Sequence, residues 1–314
     1  MIVGPTAVGK TEISLEIAAN VDGEVISADS MQVYRGMDIG TAKIKKHEMI
    51  SSNGKAIPHH LIDILDPDEN FSVADFQFLV RKLIQEINEK GKIPLLVGGT
   101  GLYVNSVIDP YNFPKIERDA DLRKRLFKEG EHFGNEHLHR KLLSVDPDTA
   151  QRLHPNDLRR IVRALEIYYQ TGKTLSSIQQ EQNNQLSYTT AMVGLFCERH
   201  DLYERINQRV DQMIRDGLIE EVHQLLKKGY SPRLKPMQGL GYRHIAAYLT
   251  GILTKEEAIC LLKRDTRHFA KRQFTWFKRD QRIKWFNIKD YSKKIICAEK
   301  ITDYISRTLG NAVE

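Results

Sequence analysis

The sequence has few cysteines and no long apolar run, and both absences narrow the class of protein. Its three cysteines, Cys197, Cys260 and Cys297, stand far apart, so they match neither the paired spacing of a zinc site nor a disulfide framework. We therefore expect a reducing, cytoplasmic environment. No segment approaches the roughly 18 consecutive apolar residues of a membrane span. The first residues enter a strand pattern rather than a secretion signal, so we expect no membrane partner.

Length and charge leave several classes open. The chain has 314 residues, which is enough for more than one compact unit. Its formal net charge is +6. This moderately basic balance is compatible with a nucleic-acid partner without demonstrating one.

A phosphate-binding pattern, G-x-x-x-x-G-K-[ST], stands at the start of the chain. Apolar Ile2–Val3 precede it and a helical pattern follows from Glu12, which is the strand, loop and helix order that the motif requires. In that order the backbone N–H groups surround an anion, Lys10 adds a positive charge and Thr11 can hold Mg²⁺. The alternative is a chance glycine-rich turn. The loop consists of Gly4, Pro5, Thr6, Ala7, Val8, Gly9, Lys10 and Thr11.

Apolar runs predict an α/β fold with a parallel-sheet core and helices on both faces. The strand before the phosphate loop has only Met1–Val3, so it is either short or begins upstream. Helical patterns such as Ser72–Glu89 separate the candidate strands, which favours parallel pairing. The other candidate strands are Glu24–Asp29, Leu61–Leu65, Ile93–Val97 and Ala191–Phe196.

Residues 112–188 are helical in pattern throughout and rich in Arg and Lys. A strand pattern returns after them, which predicts an all-helical insertion between two strands of one sheet. Its longest predicted helix, about 156–170, puts apolar residues on one face and Arg159 and Arg163 on another. The remaining segments, 1–111 and 189–314, form the catalytic core. This core ends in helices predicted at about 201–228, 240–250 and 254–279.

Two further loops follow predicted strands, where open α/β sheets bind their ligands. Asp29 comes directly after the second strand, so it is a candidate general base or metal ligand. A helix N-cap is the structural alternative for this Asp. The glycines of Gly98–Tyr103 allow backbone to approach a ligand closely, and a plain tight turn is the alternative there.

Some nucleotide-binding signals are missing. A switch or motor that hydrolyses a nucleotide usually has an acidic residue at a strand end to hold Mg²⁺, and the strand ending at Gly98–Gly99 has none. Asp63 lies inside a predicted strand, which makes it a poor substitute. The Asn-Lys-x-Asp pattern of guanine recognition is also absent from the sequence. These absences disfavour a GTPase and an ordinary kinase.

Five motifs in order resemble the bacterial-type tRNA dimethylallyltransferase family over nearly the whole chain. The resemblance implies transfer of a dimethylallyl group from dimethylallyl diphosphate to N6 of the adenosine immediately 3′ of the anticodon in tRNA. Diphosphate is the other product. The motifs are Gly4–Thr11, Ser27–Tyr34, Gly98–Tyr103, Arg205–Met213 and Gly239–Arg243.

The resemblance also implies roles for individual residues. Asp29 resembles the general base, Thr100 a contact beside the reacting amine, and Gln32, which can pair with an adenine edge, the residue that helps to hold the target base. Independently of the resemblance, Lys10 and a Mg²⁺ on Thr11 can stabilise the negative charge of the leaving diphosphate, so Lys10 is a candidate catalytic residue. The implied tRNA contacts are Asp29, Ser30, Met31, Gln32, Thr100, Arg123, Gln238, Gly239, Leu240, Gly241, Tyr242, Arg243, Lys271, Arg272 and Lys278.

Cations outside these loops have two interpretations. Arg205 and Arg209 repeat at four residues, so they can clamp the diphosphate together with Lys10, or they form surface salt bridges. Lys263–Lys284 interleaves many cations with aromatic residues, and spacings of three and four put several on one helical face. A solvated cationic face is the alternative to a tRNA-binding surface.

Two other functions stay open at this stage. A small-molecule or nucleoside kinase with a phosphate loop would bind ATP at Lys10 and Thr11 and use Asp29 to activate a hydroxyl. A non-catalytic RNA-binding module would keep its tRNA affinity after Asp29→Ala and yield no product. We expect a monomer with the anticodon stem-loop as its partner.

Overall fold

The computed structural model describes residues 1–111, 113, 119–180 and 188–310. Its contacts divide the chain into two compact units. The larger unit comprises Met1–Val107 with Tyr188–Glu314, and the smaller unit comprises Ile108–Ser187. Each unit has a hydrophobic core of its own. Residue 112, where we predicted the insertion to begin, lies outside the described residues.

The described part of the larger unit contains one six-stranded sheet in the order β3-β2-β4-β1-β5-β6. Every neighbouring pair is parallel. All six residues of β2 are buried, and side chains alternate between faces, so both faces of the sheet are covered at this strand. The predicted parallel α/β core is confirmed. The strands are β1 (Ile2–Val3), β2 (Gly23–Ala28), β3 (His59–His60), β4 (Ile93–Gly98), β5 (Val193–Phe196) and β6 (Lys284–Asn287).

Helices make up most of the remaining described chain. Three short 3₁₀ turns lie at Lys46–Glu48, Pro236–Gln238 and Ile288–Asp290. None of the helices in the described ranges is long and apolar enough to cross a membrane. The helices are α1 (Lys10–Asn20), α2 (Val73–Glu89), α3 (Gly101–Ile108), α4 (Ala120–Phe133), α5 (Asn135–Val145), α6 (Pro147–Arg152), α7 (Leu158–Thr171), α8 (Leu175–Gln180), α9 (Arg199–Arg215), α10 (Leu218–Lys227), α11 (Tyr242–Leu249), α12 (Lys255–Phe277) and α13 (Lys294–Gly310).

Local sequence explains where the long helices begin. Ser72 accepts the N–H of Asp75, and the Asp75 carboxylate accepts the N–H of Ser72, which forms a capping box at α2. Thr254 and Glu257 form the same arrangement at α12. Each box satisfies backbone N–H groups that a helix start leaves unpaired.

Two sequence predictions are wrong in detail. The run Leu61–Leu65 is no strand, because Leu61 and Asp63 have φ values of 61° and 56°, which an extended strand cannot contain. The predicted helix over 201–228 is two helices, α9 and α10, because Gly217 has a φ of 101° at the start of α10. Strand β6 and helix α13 were not predicted, and α13 packs on α1 in the core of the larger unit.

The strand register brings three predicted loops to one edge of the sheet. Val3 at the end of β1 pairs with Gly98 at the end of β4, and Gly98 also pairs with Ala28 at the end of β2. The phosphate loop, the Asp29 loop and the loop after Gly98 therefore leave the sheet side by side.

The smaller unit is helical in its described residues, where α4 to α8 enclose an apolar core. The longest helix predicted there is observed as α7, with Ile161 and Leu165 fully buried and Arg159 exposed. A buried Glu166 stands on the same apolar face.

Candidate active site

The phosphate loop Gly4–Thr11 connects β1 to α1, as its motif predicts. Gly9 adopts a left-handed conformation with φ 99°, and α1 begins at the next residue. The Lys10 ammonium turns back onto the loop, where Nζ donates to the carbonyl oxygens of Gly4 and Pro5 at 2.8 Å each. The loop therefore presents a lysine and the positive end of a helix at one point.

Burial lowers the pKa of Lys10 to about 7, with a further lowering by the charge of Arg209. The carboxylate of Asp29 acts in the opposite direction. Asp29 and Arg209 thus both lie close enough to Lys10 to act on its charge. Near neutral pH the amine exchanges between its charged and neutral forms, and an anion bound beside it would favour the charged form.

We expect the affinity of the protein for pyrophosphate to fall as the pH rises above about 7, the pKa of Lys10. Above that pH the free protein carries a neutral amine, so binding must take up a proton, and linkage allows a loss of up to about tenfold per pH unit. Isothermal titration calorimetry from pH 6 to pH 9 measures it. Lys10→Met is the control, because the ionisation of the ligand itself is common to both proteins. Equal slopes for the two proteins would contradict this expectation.

Asp29 directly follows β2. Its Oδ1 accepts the backbone N–H of Met31 at 2.8 Å, which fixes the carboxylate at the start of the loop. The backbone N–H of Ser30, which lies between Asp29 and Met31, donates to Thr100 Oγ1 at 3.3 Å. The Asp29 loop and the loop after β4 are therefore joined through Thr100, as expected for two candidate site residues that act together.

Gln32 is oriented from both ends of its amide. Its Oε1 accepts the hydroxyl of Ser27 at 2.9 Å, and its Nε2 donates to the carbonyl of Thr41 at 3.3 Å. Buried Lys43 anchors the same chain segment, where Nζ donates to Asp38, Asp63 and the carbonyl of Tyr34.

Arg205 and Arg209, equivalent in the sequence pattern, have different surroundings. Burial lowers the pKa of Arg209, and the charge of Asp29 opposes this effect. Arg205 instead acts on the thiol of Cys197, whose pKa is raised by burial and lowered by the Arg205 charge. Of the two arginines, Arg209 is the one beside Lys10 and Asp29.

The segment Gln238–Arg243 begins beside the Asp29 loop. A Cβ on Gly239 would lie 2.7 Å from Met31 Cε, so these two predicted contacts are neighbours. Gln238 Nε2 donates to the carbonyl of Pro232 at 2.6 Å, Leu240 is half-buried and Gly241 is buried. Arg243 pairs with Asp265 of α12.

Tyr242 is fully buried, so its ring can affect a bound RNA only through its neighbours. Its hydroxyl donates to Glu221 Oε1 at 2.7 Å. Glu221 also accepts the backbone N–H groups of Asp38, Ile39 and Gly40 at 2.7 to 3.1 Å. This single carboxylate therefore holds the chain after the Asp29 loop against α11.

Helix α12 carries the predicted cationic surface. Lys271, Arg272 and Lys278 are exposed. The cations of Arg272 and Lys278 lie 5.9 and 6.0 Å from the ring centres of Phe269 and Phe274. A surface groove of about 460 Å³ runs along this face. It is lined by His268, Lys271, Arg272, Thr275, Trp276 and Arg279.

Arg123 lies in the smaller unit, where a buried carboxylate orients it. Its Nε and Nη2 donate to the two oxygens of Glu166 at 2.8 Å each, and Arg163 also donates to Glu166. Burial opposes ionisation of Glu166, yet the hydrogen bonds from Arg123 and Arg163 hold its pKa below the usual value. The side chain of Arg123 remains a quarter exposed.

Glu166→Gln is expected to lower the free energy of unfolding by about 3 kcal/mol, because it leaves two arginines beside a buried neutral amide. The depressed pKa of Glu166 means that this stabilisation is present above pH 4.5 and is lost as the pH falls through the lower folded value. Urea denaturation followed by circular dichroism measures the loss. Glu129→Gln is the matched control, since Glu129 also pairs with two basic side chains but its own side chain is 23% exposed, whereas that of Glu166 is fully buried. Equal losses in the two variants would contradict the prediction.

Sequence reasoning missed three residues that organise the site and the insertion. Gln273 of α12 accepts the N–H of Thr6 at 2.8 Å and donates to the carbonyl of Gly99 at 3.0 Å. Glu221 and Glu166 are the others. A polar residue at a position that helical periodicity assigns to the buried face is a signal that identifies Gln273 and Glu166.

Fold and site together define a P-loop α/β protein whose phosphate loop stands beside a carboxylate at the carboxyl edge of a parallel sheet. A family model described as IPP transferase matches residues 32–280. The chain belongs to this family, and the resemblance recognised from the five motifs is confirmed.

Named relatives and solved structures match nearly the whole chain. The tRNA dimethylallyltransferase of Desulforudis audaxviator is 52% identical over 307 residues, which are 98% of this chain and 97% of that protein. The crystal structure of the full-length tRNA isopentenylpyrophosphate transferase from Bacillus halodurans is 47% identical with a TM-score of 0.72, covering 100% and 98% of the two chains. A eukaryotic dimethylallyltransferase, described as acting on tRNA, is 30% identical with a TM-score of 0.81 over 98% of this chain and 79% of its own.

Proposed function

We propose that this protein transfers a dimethylallyl group from dimethylallyl diphosphate to N6 of the adenosine immediately 3′ of the anticodon in tRNA and releases diphosphate. One observation carries the proposal. The charge of one carboxylate, Asp29, acts on two cations, Lys10 and Arg209, at the edge of the sheet where the phosphate loop begins α1. A base and a binding site for an anionic leaving group are what this reaction needs.

The cations act on the leaving group. Departure of diphosphate from the allylic carbon concentrates negative charge on its oxygens. Backbone N–H groups of the loop, Lys10 and Arg209 stabilise that charge as it develops. No acidic residue is needed at the end of β4 to hold Mg²⁺, because this reaction positions no water at a terminal phosphate.

Asp29 acts on the nucleophile. The lone pair of the adenine amino group is delocalised into the ring, so the amine attacks productively only as it loses a proton. The new bond joins N6 to the allylic carbon, the bond from that carbon to oxygen breaks, and its electron pair leaves with diphosphate. Asp29 takes the proton from N6, and Thr100, joined to the Asp29 loop through Ser30, contacts the RNA beside the amine.

Thr11 fits a magnesium ion, because its exposed hydroxyl lies in the first turn of α1 beside the phosphate loop. Mg²⁺ is commonly held by few protein oxygens together with phosphate oxygens and waters. When bound, the ion would neutralise part of the diphosphate charge.

The RNA partner is the anticodon stem-loop. The exposed cations of α12 supply contacts to its backbone. The target adenosine must leave its stack to reach Asp29, at a cost of a few kcal/mol that is offset by contacts inside the site. The smaller unit, with Arg123 presented by Glu166, supplies further contacts to the same RNA. A monomer working in the cytoplasm remains our expectation.

Label transfer tests the proposal. Wild-type protein is incubated with radioactive dimethylallyl diphosphate and an unmodified anticodon stem-loop that carries adenosine 3′ of the anticodon. We expect label on that adenosine, and none on a matched RNA with guanosine at the same position. Parallel reactions contain γ-labelled ATP in place of the prenyl donor. Label moving only from ATP would indicate a kinase, and RNA binding without any transfer would indicate a binding module.

A further inference from the structure

The side-chain amide of Gln273 joins two loops of the site that are far apart in sequence. Its Oε1 accepts the N–H of Thr6 in the phosphate loop at 2.8 Å. Its Nε2 donates to the carbonyl of Gly99 at 3.0 Å. Gln273 is only 7% exposed, and it is the one polar residue among the five buried residues of α12. A buried amide with both ends paired holds its partners at a defined separation.

Two glycines let α12 approach the loop after β4 closely enough for this contact. A Cβ on Gly99 would lie 2.1 Å from Gln273 Nε2. A Cβ on Gly101 would lie 2.3 Å from the indole of Trp276, one helical turn further along α12. The helix is thus packed directly against the backbone on both sides of Thr100.

The same stretch of α12 faces the groove of cations. Lys271 and Arg272, which immediately precede Gln273, line this groove together with Trp276. The groove and the Gln273 amide therefore belong to the same turn of α12, and Trp276, which lines the groove, also packs on Gly101. Gly99 is followed by Thr100, which accepts the N–H of Ser30 beside Asp29. One turn of α12 thus carries the groove-lining cations on one side and, through Gln273, the hydrogen bonds to both loops on the other.

We propose that Gln273 is a positioning residue that couples RNA binding on α12 to the diphosphate loop, so that each substrate orders the site for the other. This inference rests on the proposed function for the identity of the two ligands. A ligand that orders a shared element spares the second ligand part of that cost, which produces positive coupling without a large structural change. Gln273 is the element that the RNA-binding helix α12 shares with the phosphate loop and the loop after β4.

The test compares three variants. Gln273→Met keeps the length of the side chain and removes both hydrogen bonds. Gln273→Glu keeps an acceptor for Thr6 N–H and removes the donor to Gly99, so it provides an answer should the first variant fail to fold. Gln85→Met makes the same chemical change on an exposed face of α2, where the amide bonds only to Glu89 in the described structure. Thermal unfolding identifies which variants are folded.

The readout is the affinity for the anticodon stem-loop, measured by fluorescence anisotropy with and without magnesium pyrophosphate. We expect pyrophosphate to tighten RNA binding by about fivefold or more in the wild type and in Gln85→Met, within the usual range of coupling between sites. In Gln273→Met and Gln273→Glu the effect of pyrophosphate should fall to about twofold or less on the same scale. The turnover number for transfer should fall by up to about 10²-fold, with unchanged affinity for RNA alone.

A merely structural role would lower the unfolding temperature and leave the coupling factor intact, and that outcome would overturn the inference. Absence of coupling in the wild type would overturn it as well. Failure of the proposed function is recognised separately, because wild-type protein would then transfer no dimethylallyl label, whereas the pyrophosphate effect on RNA affinity is measured without any transfer.

Discussion

Asp29→Asn is expected to lower the rate of dimethylallyl transfer by about 10²- to 10⁴-fold while RNA binding is retained. The amide has the same shape and keeps an oxygen that accepts the Met31 N–H. It cannot take the proton from N6, so the amine stays a poor nucleophile. Single-turnover transfer measures the rate, and anisotropy of the labelled stem-loop measures binding.

Asp303→Asn is the matched control for this experiment. Asp303 lies on α13, where its carboxylate is 3.9 Å from Lys300 and both side chains are more than half exposed. The same chemical change there should leave transfer unaltered. Near-normal transfer by the Asp29 variant would exclude the general-base role, and loss of RNA affinity in step with the rate would assign Asp29 to binding.

Arg209→Met should reduce the transfer rate by about 10²- to 10³-fold, the usual cost of removing one group that stabilises developing charge. Arg209 lies beside Lys10 and Asp29, where burial strengthens its interaction with an anion. Arg205→Met is the comparison, since Arg205 lies beside the Cys197 thiol and is expected to affect transfer little.

The two variants should differ most in their response to pyrophosphate. We expect Arg209→Met to lose affinity for this product and Arg205→Met to keep it, as measured by calorimetry at pH 6, where Lys10 is charged. Similar losses in both variants would mean that the two arginines act together as a clamp, as the four-residue spacing alone allows.

The fold was predictable wherever a local signal was strong. Buried strands β2 and β4 and the capped helices α2 and α12 were found within a few residues, because apolar runs and capping residues act over short distances. The prediction of a strand at Leu61–Leu65 was wrong because an apolar run does not reveal a left-handed φ. Helices α9 and α10 were predicted as one helix because the sequence does not reveal that the backbone of Gly217 adopts a positive φ and so ends the helical pattern.

In the candidate site, too, the residues with a local sequence signal could be predicted and those without one could not. Lys10, Thr11 and Asp29 could be proposed from the sequence because the chemistry expected of each depends on neighbours close in sequence, a phosphate loop or a strand end. Gln273 was missed because its two partners lie 267 and 174 residues away, and no local pattern encodes such a pairing. Glu221 was missed for the same reason, since its backbone partners lie in the segment Asp38–Gly40.

The sequence by itself determined the class of fold, the phosphate loop, the candidate base and the family, because these depend on motifs and periodicities within about thirty residues. Only the tertiary structure decided which arginine stands beside Lys10, how the Lys10 pKa falls to about 7, and that Gln273 joins α12 to both loops. Burial and electrostatic interaction depend on distances in space, and packing α12 and α9 against the edge of the sheet sets those distances.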